Sequence, residues 1–375
     1  MPPKDSRGKG EGGKGKGEKA KPASAVSRKS SGGNKREKVI EDSESRSPFP
    51  VPPFPPSGLG VAVIGAGRLG TALARALAAR GYHVKALVSR RISSARRACL
   101  FVDSAADTPP MALKFSDMER LPPVDLFLIA TPDAAIEETA ARLGAVLKAS
   151  KQRRIALHAS GALSSDVINS LRACNCAVGS MHPLVSVSAP IAGAEALSGA
   201  FYCVEGDRPA TGMARRLVRD LGGHSFTVKA RDKALYHAAA VMTSGHSVAL
   251  FDAATELLAR CGLSQTRARR VLLPLLGSTY KNLSSQKPSH ALTGTFARGD
   301  VATVRRHLAA LQSQSLSDTL AIYSLLGHRS LRLATENGQH LHAMKEIAFL
   351  LEKAEGSKQK TEGSSKKISN HKSQI

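Results

Sequence analysis

The sequence predicts an α/β domain built on a parallel sheet, followed by an all-α domain. Three observations predict it. Val61-Ala62-Val63-Ile64 is a short apolar run that reads as a buried strand, followed at once by Gly65-Ala66-Gly67-Arg68-Leu69-Gly70 and then by the helix-forming run 71–78. Strand-like and helix-like segments then alternate as far as Val228. Beyond Lys229 no strand signal recurs, and only helical runs follow.

The glycines are informative because they sit between a strand and a helix. In that context Gly65 permits the tight turn, Gly67 lets the backbone approach a pyrophosphate, and Gly70 lets helix and strand pack closely. Ala66, Arg68 and Leu69 complete a loop whose helix-initiating N–H groups carry partial positive charge toward an anion. The alternative is a glycine-rich turn that binds nothing. Gly81 ends the helix, and His83 to Val88 reads as a second strand delivering Ser89-Arg90-Arg91. No Asp or Glu lies between Gly65 and Phe101, so the carboxylate that would hold an NAD ribose is missing. Two guanidiniums there fork onto a 2′-phosphate, which predicts NADP(H) rather than NAD. With Arg96 and Arg97 they otherwise form a solvated helix face.

A strand is expected at Met111 to Phe115, and a clearer one at Asp125 to Ala130. Thr131-Pro132-Asp133 closes the latter, with Asp133 capping a helix from Ala134 to Lys148. Thr131 and Pro132 are cofactor neighbours on this reading, or simply a turn. Arg154 to Leu157 delivers His158-Ala159-Ser160-Gly161, and Cys176 to Gly179 delivers Ser180-Met181-His182-Pro183-Leu184. Two strands each ending in a Ser/His pair bring groups that titrate near neutrality to the strand ends where α/β sheets bind ligands. His158 is assigned to the cofactor, and Ser160 and His182 to the reacting side. Their alternative role is to satisfy backbone groups of the turns. Phe201 to Val204 and His224 to Val228 flank a helix from Pro209 to Leu221.

Lys233 opens a helical run to Arg260 that is low in charge between Tyr236 and Leu250, and so expected to be buried against this domain or a second subunit. Helices are expected near 265–283, 301–311, 316–333 and 339–351, with a loop over Ala291–Asp300 in which Asp300 is an N-cap.

The 375 residues leave room for two domains: an NADP-binding domain over 57–228 and a helical substrate or dimerisation domain over 229–355, between polar tails at 1–56 and 356–375 that read as disordered. Residues 1–50 carry thirteen Lys or Arg against seven Asp or Glu, and residues 351–375 six against three, so most of the +24 charge lies between the tails. Aromatics are 4% and do not interleave with the basic residues, which leaves only non-specific attraction of the tails to nucleic acid. Lys35-Arg36-Glu37-Lys38 is alternatively a nuclear-type basic signal. No apolar run suits a membrane and no signal peptide is readable. Five scattered cysteines make neither a disulfide framework nor a metal site, and a reducing, cytoplasmic setting is expected.

The glycine loop, Ala130-Thr131-Pro132-Asp133, His158-Ala159-Ser160-Gly161, Ser180–Leu184 and Ala291–Asp300 occur in an order that resembles Rossmann-like proteins with a C-terminal domain of unknown function, DUF2520. The resemblance covers roughly Leu59 to Thr335. It extends to the 6-phosphogluconate-dehydrogenase-like group, including ketopantoate reductases, pyrroline-carboxylate reductases and prephenate dehydrogenases. It implies an NADP(H)-linked Rossmann domain and a helical domain that dimerises. It also implies a catalytic Lys with a partner four residues on, matched by Lys233 and His237, and a catalytic His-Pro turn, matched by His182-Pro183. This chain departs from the pattern at Gly245, where Asn is usual, and at Thr295, where Pro is usual.

The expected activity is NADPH-dependent reduction of a small 2-oxo or imino acid. Lys233 is then the acid or polarising cation, His237 its support, His182 and Ser160 the rest of the pocket, and Arg298 the clamp for the substrate carboxylate. The alternatives are a prephenate-type dehydrogenase with His182 as base, and a non-catalytic NADP-binding sensor or scaffold.

Overall fold

The structure, a computed structural model, describes residues 58–102, 109–147, 151–314, 316–338 and 341–355, all within one folded unit. The two tails, and with them the basic run at 35–38, lie outside the described residues.

Eight strands form one sheet: β1 (Gly60–Ile64), β2 (His83–Ser89), β3 (Met111–Lys114), β4 (Leu126–Ile129), β5 (Arg154–His158), β6 (Cys176–Pro183), β7 (Phe201–Gly206) and β8 (His224–Phe226). Their order is β3-β2-β1-β4-β5-β6-β7-β8. All neighbouring pairs are parallel except β6 with β7. The strand order reverses between β1 and β4, so their carboxyl ends open the crevice where such sheets bind ligands.

Both faces are covered, and strand periodicity divides the core. Val61 and Val63 of β1, with Leu126 and Leu128 of β4, pack with α1 (Arg68–Ala78) and residues that α2 (Ile92–Cys99) and α5 (Arg208–Asp220) contribute. Ala62, Ile64, Phe127 and Ile129 point the other way, onto α3 (Ile136–Leu147) and the 3-10 segment Ser165–Cys174. The short α4 (Pro190–Ala196) lies against α1, where Gly193 leaves no room for a Cβ beside Val187 and Ala72.

Beyond the sheet the chain is helical: α6 (Lys233–Thr243), α7 (Gly245–Arg260), α8 (Gln265–Ser285), α9 (Pro288–Ala291), α10 (Gly294–Arg298), α11 (Val301–Ser313), α12 (Ser317–Glu336) and α13 (341–355). A third core joins α11, α12 and α13 through Val304, Leu308, Leu320, Leu331, Ile347 and Leu351. No helix among the described residues is long and apolar enough to cross a membrane.

Four local expectations need correction. The helix opened by Lys233 is broken at Ser244, whose φ and ψ of −104° and −73° interrupt it just before Gly245. The 291–300 segment is the end of α9 followed by α10 rather than a loop, because Pro288 and Gly294 each start a short helical turn. Asp133 lies inside a 3-10 turn, Asp133–Ala135, with no side-chain cap recorded. β6 does not end at Gly179: residues 176–180 pair with β5, and 179–183 continue by pairing with the antiparallel β7. Of the two places expected for the apolar run between Tyr236 and Leu250, its own domain does not cover it, since Met242 and Val248 are 65% and 69% exposed, and a second subunit is the alternative that stays open. Asp300 does cap α11, accepting from the Thr303 amide at 3.0 Å.

Candidate functional site

The glycine loop sits at the switch point. Gly65 has φ 111°, and a Cβ there would strike the Ala130 carbonyl and the Thr131 amide, so the ends of β1 and β4 touch. A Cβ on Gly70 would collide with the Gly65 carbonyl oxygen, so helix and strand meet there backbone to backbone. Gly67 is different: nothing lies within 4 Å of the Cβ it lacks. Gly67 is also the N-cap of α1, with no side chain capping the helix. The first-turn N–H groups, among them those of Arg68, Leu69 and Gly70, therefore lack a side-chain cap and sit beside open space, the requirements of an anion cradle. Ala66 donates to the Val88 carbonyl at 3.1 Å, which ties the loop to the end of β2. There Ser89 is half-buried and Arg90 and Arg91 are exposed. Across the crevice Pro132 is exposed, while the Thr131 hydroxyl oxygen is buried without a hydrogen-bond partner. An orphaned hydroxyl beside an open glycine cradle fits a dinucleotide that would complete both.

The second half of the site lies one strand over. The Ala159 amide donates to the Ile129 carbonyl at 2.9 Å, so the turn after β5 runs beside the Ala130–Thr131 turn. Lys233, at the start of α6, is 1% exposed and donates to the Ser160 carbonyl at 3.2 Å and to Ser180 Oγ at 2.9 Å. Burial pulls the ammonium pKa below its usual value, opposed by Cys203, Glu205 and Asp133. Ser160 Oγ accepts from the Ala162 and Leu163 amides at 3.2 and 3.1 Å and so shapes the turn.

The i,i+4 spacing places His237 one turn beyond Lys233. Its ring lies 5.5 Å from that of His182, edge to face. His182 Nδ1 lies 2.7 Å from the Tyr236 hydroxyl. Gly161 underlies both imidazoles, since a Cβ there would collide with His237 Nδ1 and come within 2.9 Å of His182 Nε2. His237 Nδ1 is buried without a partner. Burial is the first cause, and the Lys233 charge the second, that lower His182 to about 4. The same two causes bring His158 to about 4. Both are neutral near pH 7.

His158 has both ring nitrogens within its own turn: Nδ1 accepts from the Ser160 amide at 3.2 Å, and Nε2 lies 3.1 Å from the Ser164 carbonyl. It shapes the turn and offers neither nitrogen to a ligand. Arg298 is exposed at the end of α10, which packs on α12 and α11, and no described contact brings it to Lys233 or His182. Lys233, His237, His182 and Ser160 do come together. Sequence reasoning passed over three members of this group. Ser180 stands in the Ser180–Leu184 motif, Gly161 follows Ser160, and Tyr236 lies three residues beyond Lys233 on the same helical side.

Fold and crevice together define a Rossmann-type domain continued by a helical segment. Residues 48–183 match the Rossmann-like domain model and residues 200–330 match the domain of unknown function DUF2520, so the chain carries both in that order. A Bacteroides fragilis protein described as an NADP oxidoreductase is similar in structure, with a TM-score of 0.59, 21% identity, and coverage of 74% of this chain and 99% of that one. A Thermotoga maritima protein gives 0.53 at 20% identity, covering 80% and 99%. A pyrroline-5-carboxylate reductase from Streptococcus pyogenes gives 0.49 at 16%, covering 75% and 99%. Comparison with curated proteins returns no match.

Proposed function

We propose that this protein is an NADP(H)-dependent oxidoreductase that reduces a small 2-oxo or imino acid. One observation carries the reading. The glycine cradle with its orphaned Thr131 hydroxyl at the ends of β1 and β4 lies beside the Lys233–His182–His237 group at the end of β5 and the second half of β6. NADPH, if held there, would supply a hydride to the carbonyl or imine carbon, and Lys233 as the acid would supply the accompanying proton. The loop amides hold its diphosphate, and Arg90, Arg91 and Ser89 take the 2′-phosphate. Lys233 brings positive charge to the turn that would face the reacting oxygen or nitrogen, where developing negative charge is favoured. Ser160 fixes that turn, and His182 and His237 line the other side. Arg298 takes no part in this arrangement. The description of the Bacteroides fragilis relative as an NADP oxidoreductase agrees with the reading.

The apolar faces of α6, α7 and α8 make a homodimer part of the proposal. Leu235, Met242 and Val248 there continue into Leu275 and Tyr280 of α8, 64% and 73% exposed, and a second copy would cover them.

The test is loss of NADPH absorbance with a panel of 2-oxo and imino acids, ketopantoate and a cyclic imino acid included. Turnover of one member supports the reading, and silence across the panel with the cofactor bound contradicts it. Prephenate with NADP⁺ tests the reverse direction, with His182 as base. A second reading, a non-catalytic NADP-binding sensor, is favoured by the near-complete burial of Lys233 and the Gly245 departure. It predicts NADPH binding with no turnover of any member.

A further inference from the structure

His182 is held on more sides than a pocket-lining residue needs. It stands in register with Cys203 of β7, which fixes its backbone. Its ring meets Tyr236 and His237, consecutive residues of α6, edge-on, with centroids 5.6 and 5.5 Å away. The Cε1–Nε2 edge lies against Gly161, at 2.8 and 2.9 Å from the Cβ that glycine lacks. The charged and titratable groups around it are Lys233, Tyr236 and His237 from α6, His158 from β5, and Cys203 from β7.

We infer that Tyr236 is a positioning residue: its hydroxyl donates to His182 Nδ1 and fixes the Nε2–H tautomer, so that His182 presents a hydrogen-bond donor over Gly161. Two arrangements satisfy the 2.7 Å contact. If Nδ1 carried the hydrogen and donated to the tyrosine oxygen, the phenolic hydrogen and the bare Nε2 would both be left without a partner among the described residues. If the tyrosine donates, a neutral imidazole must carry its own hydrogen on Nε2, and that hydrogen alone is left over. Burial raises the Tyr236 pKa and lowers that of His182, so both are neutral near neutral pH and the phenol keeps its hydrogen. No described acceptor meets the Nε2 hydrogen. It points across Gly161, beside the unpartnered Nδ1 of His237. On the proposed reductase reading, which this last step rests on, the acceptor of that hydrogen is the oxo or imino atom of the substrate, polarised by a neutral imidazole rather than protonated by an imidazolium.

Nitrogen-15 histidine spectra of the intact chain near neutral pH test the inference without any substrate. The His182 signals are assigned by their loss in His182→Asn. The expected result is a protonated Nε2 and a bare, hydrogen-bonded Nδ1. Tyr236→Phe should return His182 to the mixed tautomers of a free imidazole, with NADPH affinity unchanged within about twofold. A protonated Nδ1 or an imidazolium in the intact chain would overturn the inference, as would an unaltered tautomer in Tyr236→Phe. The same samples, titrated with NADPH, separate the two ideas: an intact chain that binds no NADPH refutes the reductase reading and leaves the tautomer result standing.

Discussion

The Lys233 ammonium donates to Ser180 Oγ at 2.9 Å, and so joins the first turn of α6 to the middle of β6. The same nitrogen reaches the Ser160 carbonyl after β5. One buried cation therefore binds the start of the helical segment to two adjacent strands, and its field falls on both His158 and His182.

This makes stability depend on pH in a defined direction. His158 and His182 are lowered from 6.5 to about 4. A folded pKa below the unfolded one means that the unfolded chain takes up the protons first. The stability these residues contribute is present above 6.5 and is lost as pH falls toward 4. At about 1.4 kcal/mol per unit, the pair accounts for several kcal/mol. The urea midpoint should fall steeply through that window. Lys233→Met removes the second cause of both shifts and should flatten the slope, whatever it does to stability near neutrality. A wild-type midpoint that stays level across the window contradicts this.

Gly67 and Gly70 should respond oppositely to alanine. Gly70→Ala drives a Cβ into the Gly65 carbonyl oxygen and should cost about 2 kcal/mol or more. Gly67→Ala meets no protein atom, and Gly67 has φ −83°, so stability should fall by no more than about 1 kcal/mol, the cost of alanine at a helix N-cap. Its methyl group enters the space of the diphosphate instead, and NADPH affinity should fall at least about tenfold. Thermal melts and fluorescence titrations of the two variants check this. Equal NADPH affinity in Gly67→Ala and wild type would place the diphosphate elsewhere.

The exposed face of α6 to α8 predicts a homodimer that charge dissociates. Leu275→Glu with Tyr280→Lys places two charges on it, and sedimentation should show the variant as monomer where the intact protein is dimer. An intact protein that sediments as a monomer at micromolar concentration refutes the dimer.

Much of the sheet was legible in the sequence because its signals are local. Val61–Ile64 alternates between two cores, and Gly65–Gly70 can take its shape only where strand and helix abut. The far end of β6 was not legible. Its extension through His182 depends on pairing with β7, a partner over twenty residues away whose antiparallel direction no local pattern encodes. The break at Ser244 was missed because apolar periodicity continues across it. In the site, Lys233 and His237 came from the family resemblance, and helical spacing then placed both on one face. The roles of Tyr236 and Gly161 emerge only when α6 is laid across the ends of β5 and β6.

Cofactor preference tests the central claim most directly. In the proposed site nothing acidic follows β2, and Arg90 and Arg91 are exposed at its end. Fluorescence titration of the intact protein should show NADPH binding at least about tenfold tighter than NADH, about 1.4 kcal/mol. The difference should vanish when Arg90 and Arg91 are both replaced by Ala. Equal affinities in the intact protein, or no binding of either nucleotide, would contradict the account.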